Sequence, residues 1–126
     1  MLNALRSIEN MSRLAMIEPG ATFKENLAQL PPVDGVRRID LFDDTGSVVA
    51  SIENQPGKQG SLAVYQHLTQ AFDRLDETAA TYGLALFAEH TADARNRPGA
   101  HPNIDRLIEI IAGAAPLRLA IVTAND

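Results

Sequence analysis

Cysteine is absent from this 126-residue chain. That removes disulfides, thiolate metal sites and cysteine nucleophiles together, and it fits a reducing cytoplasm. Tryptophan is absent too, and aromatic residues make up only 5% of the chain, so a core has to be assembled from Leu, Ile, Val and Ala. Basic residues are outnumbered, eleven Lys and Arg against sixteen Asp and Glu, giving a net charge of −5. They are scattered and never interleaved with aromatics, which argues against a nucleic-acid partner, because counterion release needs clustered cations. No apolar run approaches the ~20 residues of a membrane-spanning helix. The opening stretch MLNALRSIENMSRLAMIEPGA is interrupted by Glu9, Asn10 and Arg13 and does not read as a signal peptide.

What is present reads as an ordinary globular chain, 45% hydrophobic and of a length that buries one core. Leu2, Leu5, Ile8, Met11 and Met16 form a loose helical stripe that stops at Glu18-Pro19-Gly20. Residues 1–21 are therefore expected to be a helical N-terminal extension, and residues 22–126 a single α+β domain. Thr22 to Glu25 has the form of a capping box, followed by Phe23, Leu27 and Leu30 on one helix face and a stop at Pro31-Pro32. Val36 to Phe42 and Ser47 to Glu53 flank Asp43-Asp44-Thr45-Gly46, which predicts a β-hairpin with Gly46 supplying a positive φ. In its first strand Ile39 and Leu41 alternate with Arg38, Asp40 and Phe42, as expected of one buried and one wet face.

After the loop Asn54 to Gly60, Ser61 is placed to cap a helix running to about Asp73, with Leu62, Tyr65, Leu68 and Phe72 on its apolar face. His67 then falls on the surface. A further helix is expected from Asp76-Glu77 through Leu84 and Thr91 towards Asn96, with Gly83 allowing close packing. Pro98-Gly99 breaks it. His101 or Asn103 caps the next, which carries Ile104, Leu107, Ile108 and Ile111 and stops at Gly113. Leu117 to Thr123 reads as a last strand, either central in the sheet or beside the hairpin. The predicted fold is thus α+β: a small antiparallel or mixed three-stranded sheet, hairpin plus C-terminal strand, with three to five helices packed on it.

Polar side chains concentrate between Leu84 and Ile111. His90 and Asp93, three apart, share a helix face, and the Pro-Gly turn brings His101 and Asp105 towards them. Imidazole and carboxylate together suit a divalent metal, so His90, Asp93, His101 and Asp105 are a candidate metal set, although no established metal motif is present. The plainer account is structural: Asp93 pairs with Arg97, Asp105 sits in a first helical turn, and His101 caps. Without metal, Glu89, His90, Asp93, His101, Asn103 and Asp105 are candidates to hold a small polar ligand or exchange protons with it. A second candidate is the loop containing Lys58, Gly60 and Ser61, where a Gly-rich turn before a helix can cradle an anion, although the order is not that of a phosphate-binding loop.

Three segments, FKENLAQLPP, IENQPGKQGSLAVYQHL and GLALFAEHTADARNRPGAHPNIDRL, resemble a small bacterial family known as domain of unknown function 2322. The resemblance runs from Phe23 to the C-terminus. It implies a free-standing bacterial domain with Met1 to Ala21 as an extension, and it implies no activity, cofactor or catalytic residue. The expectation is a small cytoplasmic binding or accessory module with a polar pocket around His90, Asp93, His101 and Asp105, binding a small polar ligand or a protein partner. The alternatives are a metal-dependent, hydrolase-like enzyme using the same cluster, and a homodimeric or adaptor domain acting through the N-terminal stripe.

Overall fold

The computed structural model describes residues 16–125. Leu2, Leu5, Ile8 and Met11, four of the five residues of the proposed N-terminal stripe, lie outside them; the fifth, Met16, is exposed. The described chain runs α1 (Phe23–Gln29), β1 (Val36–Phe42), β2 (Val48–Glu53), α2 (Gln59–Ala71), α3 (Glu77–Phe87), α4 (Glu89–Asn96), α5 (Pro102–Ile111) and β3 (Arg118–Thr123). Three antiparallel strands in the order β2-β1-β3, with five helices, make an α+β fold.

The hairpin forms where the turn chemistry demands it. Asp43 Oδ1 accepts the N–H groups of Thr45 and Ser47 at 2.9 and 3.1 Å, and Gly46 takes φ +86°. β1 is the central strand, with Ile39 opposite Ile52 on one side and Ile121 on the other. β3 therefore lies beside the hairpin and not at the sheet centre. Its one neighbouring strand explains why it is only partly buried despite its apolar sequence. The expected wet face of β1 is also drier than its alternation implies. Asp40 is buried, held by Arg38 Nε at 2.9 Å and by the Ser51 hydroxyl at 2.7 Å.

α2 sets the depth of everything else, because it touches all three strands and also α1 and α3. Seven consecutive residues, Leu62 to Leu68, are buried. A helix enclosed on all sides cannot follow the one-stripe pattern of a surface helix, and this corrects the surface placement of His67, which is 1% exposed. Its polar side chains are each bound to a different neighbour. The Tyr65 hydroxyl donates to the Asn103 carbonyl at 2.6 Å, Gln66 Nε2 to the Pro32 carbonyl at 3.0 Å, and His67 Nε2 meets the Tyr82 hydroxyl at 2.9 Å. α3 and α5 pack closely at Gly83. A Cβ there would stand 2.8 Å from Leu107 Cδ1 and 3.2 Å from Leu68 Cδ1, so the small residue is needed.

The long helix expected from Asp76 to Asn96 is two helices. Ala88 takes φ +52° and ψ −119°, ending α3 and starting α4. No Gly, Pro or Asn marks the break, so local propensity carries no sign of it. Tertiary bonds hold it instead. Asn26 of α1, fully buried, donates to the Leu86 carbonyl at 2.9 Å and accepts the Gly20 N–H at 2.7 Å. The Thr91 hydroxyl donates to the Leu84 carbonyl at 2.7 Å. The Leu86 carbonyl is thereby satisfied, and an unsatisfied buried carbonyl would cost about 1–3 kcal/mol.

Candidate functional site

α2 begins at Gln59 and not at Ser61, so Ser61 is in the first turn and caps nothing; Lys58 is the cap residue and makes no side-chain cap bond. α5 begins at Pro102, with His101 in the cap position, and here too no side-chain cap bond forms. Asn103 is inside that helix, where its Oδ1 accepts from Arg106 at 3.0 Å. The starts of α2 and α5 open onto one cavity of about 640 Å³, which α4 and the α1 face also wall. Its lining includes Lys58, Gly60 and Ser61 from the first helix start, and His90, His101 and Asn103 from the polar segment. Two stretches proposed separately, as an anion loop and as a histidine cluster, meet at the same space.

Not every candidate side chain faces it. His90 and His101 do, with ring centroids 6.0 Å apart. Asp93 stands behind His101, its Oδ2 receiving the Nε2–H at 2.6 Å, while Arg97 binds the same carboxylate through Nε at 3.0 Å and through a second guanidinium nitrogen. The Arg97 hydrogen bonds first, and the His101 bond next, hold the Asp93 carboxyl far below the usual carboxylate range. Asp105 is turned away to accept the Gly99 N–H at 2.9 Å, which braces the loop before α5. Glu89 accepts the Phe23 N–H at the start of α1 at 2.6 Å, and that bond lowers its pKa. The four-residue metal set is therefore not assembled. Among the described residues no group of three or more His, Asp or Glu side chains is placed to hold a metal ion.

The turn at Pro98-Gly99 does bring the two imidazoles to one wall, while it leaves the acids as their supports. Because Asp93 takes the Nε2 proton of His101, a neutral His101 ring keeps Nδ1 as a bare acceptor, fit to bind a donor or accept a proton. Gly60 has a use that its place in a Gly-rich loop does not reveal. A Cβ there would lie 3.0 Å from the Phe23 ring, so the missing side chain admits that ring. Phe23 stacks on Phe87 at 5.4 Å between centroids and presents its ring to His90 edge-on at 5.1 Å. An apolar floor of Phe23, Phe87, Leu27, Ile52 and Ile104 thus lies beneath a polar rim.

Sequence reasoning missed Arg106, Phe23 and Phe87 as cavity residues. Arg106 donates to the Tyr65 hydroxyl at 3.1 Å and lines the space. A signal for it existed, since Asn103 and Arg106 stand three apart and share a helix face. The two Phe rings carried none, because a floor residue and a core residue look alike in sequence. Residues 23–121 match the family model described as an uncharacterised protein conserved in bacteria, domain of unknown function 2322. No curated protein and no solved structure matches the chain.

Proposed function

Since the chain belongs to the family of proteins conserved in bacteria known as domain of unknown function 2322, a membership that brings no activity with it, we propose from the geometry that it is a small-molecule-binding module of the bacterial cytoplasm. One observation carries this reading: side chains from two distant segments, Lys58 to Ser61 and His90 to Arg106, line a single cavity of about 640 Å³. Binding sites for small ligands are concave spaces of roughly 300–1,000 Å³, mostly apolar, with a few convergent polar groups. This cavity has that size and that division between floor and rim. The ligand is held by hydrogen bonds and packing; His90, His101 and Asn103 orient it, and Asp93 and Asp105 hold the wall in shape from behind. A cytoplasmic setting agrees with the absence of cysteine, and no described helix is long and apolar enough to cross a membrane.

The test is a thermal-shift and NMR screen of the full chain against a panel of small metabolites, repeated with Ala100→Trp. Ala100 is exposed at the cavity mouth, so a large ring there blocks entry without disturbing the core. At a hundred times its Kd a true ligand stabilises the fold by about 2.7 kcal/mol. The expected result is a ligand that raises Tm in the natural chain and not in the variant. Amide shifts confined to residues remote from the cavity would refute the reading.

A further inference from the structure

The cavity wall has a charge bias that the composition of the chain opposes. Acidic residues outnumber basic ones sixteen to eleven, yet no Asp or Glu lines the space, while Lys58, Arg106, His90 and His101 all do. The carboxylates nearest to it are already committed: Glu89 to the Phe23 N–H, Asp105 to the Gly99 N–H, and Asp93 to Arg97 and His101. Arg106 and Lys58 have no carboxylate partner among the described residues, whose ion pairs are confined to Asp40 and Asp93. Arg106 is also held in place, since one guanidinium nitrogen is bonded to both the Tyr65 hydroxyl and Asn103 Oδ1, and its cation stands 5.7 Å from the Tyr65 ring centre. A fixed guanidinium at a cavity wall, with free N–H groups remaining, is suited to bind a carboxylate or phosphate.

Resting on the binding reading above, we propose the class of the ligand: a small organic anion, one carboxylate or phosphate group joined to a flat apolar body. The anionic group sits between Arg106 and Lys58, and the body lies against Phe23, which itself stacks on the buried Phe87. The starts of α2 and α5, neither with a side-chain cap bond, also line the cavity and bring partial positive charge to it. A neutral ligand of the same shape would leave both cations unpaired. An inorganic anion would leave the half-buried Phe23 ring uncovered.

The test is calorimetric or NMR titration of the full chain at low salt with four probes: phenyl phosphate, benzoate, inorganic phosphate and benzyl alcohol. The expected result is that phenyl phosphate or benzoate binds at least about tenfold more tightly than benzyl alcohol and inorganic phosphate, with the better of the two anions identifying the natural head group. Lys58→Gln and Arg106→Gln should each cost the organic anion about tenfold and leave benzyl alcohol unchanged. Lys58 is the cap residue of α2 and makes no side-chain cap bond, so its variant remains informative if the loss of the Arg106 contacts loosens α5. Equal binding of benzyl alcohol and the organic anions overturns the ligand class and leaves the cavity a binding site. Organic-anion binding that survives both substitutions overturns the class in the same way, whereas organic-anion binding that Ala100→Trp does not weaken lies outside the cavity and counts against both readings. If every probe and every metabolite of the screen fails to perturb cavity residues, both readings fall.

Discussion

The three histidines of the chain occupy two opposite settings. His67 is sealed inside, on a helix packed between the sheet and the other helices, with Nε2 on the Tyr82 hydroxyl and Nδ1 without a partner among the described residues. His90 and His101 stand half-buried on the wall of an open cavity, one packed against Phe23 and the other backed by Asp93. The sealed pair is a joint. Tyr82 Oη accepts the Ile17 N–H at 2.7 Å and donates to the Ile17 carbonyl at 3.2 Å, so its one proton is spent there. His67 must then donate from Nε2 and keep Nδ1 as a bare lone pair, the less costly of the two groups to leave unpaired. The open pair keeps polar edges towards solvent. What separates the two is depth, and depth is set by the layer a helix occupies and not by its own polarity.

The sharpest way to break this contrast is to truncate one member of each pair. His67→Ala removes a fully buried ring and leaves a cavity, with an expected loss of about 3 kcal/mol in urea denaturation. Tyr82→Phe leaves His67 and both Ile17 groups short of a partner and should cost about 2 kcal/mol. His90→Ala, at the rim, is expected to cost less than about 1 kcal/mol. Equal losses at His67 and His90 would mean that the two settings are not distinct.

pH separates them next. Burial pushes the His67 pKa below its ordinary 6.5, since a charged ring there would be poorly solvated and Nδ1–H would have no acceptor. The unfolded chain therefore takes up this proton first. Stability from a neutral His67 is complete above about pH 6.5 and declines as pH falls through the interval down to the lowered folded value, by at most about 1.4 kcal/mol per pH unit. Chemical denaturation between about pH 7 and pH 5 should show that slope, and His67→Leu, similar in size and uncharged, should flatten it. Asp93 acts in a different window. Its folded pKa is depressed, so its contribution is present above the ordinary carboxylate range near 4 and is lost as pH falls below it. A slope near neutrality that persists in His67→Leu would assign it elsewhere.

Much of the fold was legible because its signals are local. The Asp43 to Gly46 turn, the Gly83 contact and the stop at Gly113 each follow from what one residue type allows, and each occurs as expected. The misreadings have a common origin in tertiary override. By spacing His67 falls outside, because Leu62, Tyr65, Leu68 and Phe72 already supply one apolar stripe, and nothing in that spacing reports that α2 has neighbours all round. The break at Ala88 is invisible because Asn26, more than fifty residues earlier, stabilises it. At the site, His90 and His101 were legible as a pair. The pairing of Asp93 with Arg97 and the place of Asp105 in a first helical turn were legible too, and both occur; the bond from His101 to Asp93 was not, since a carboxylate in reach of an imidazole can equally face the cavity or stand behind it.

That ambiguity supports the smallest and most specific expectation. Asp93 is exposed enough that its bonds to Arg97 and His101 are screened by water, so Asp93→Asn should leave the thermal midpoint near that of the natural chain. Its effect belongs to orientation. An amide at that position can present N–H to the imidazole, and a neutral ring can then lose the Nε2–H tautomer that Asp93 imposes. The measurement is the pattern of ring nitrogen shifts of His101, read by NMR beside those of His90. A changed tautomer at His101, with His90 and the midpoint unmoved, would show that the acid sets the imidazole behind the cavity wall. A His101 spectrum indifferent to the substitution would make the pairing incidental, and the wall would then be shaped by the loop at Gly99 and its brace from Asp105 alone.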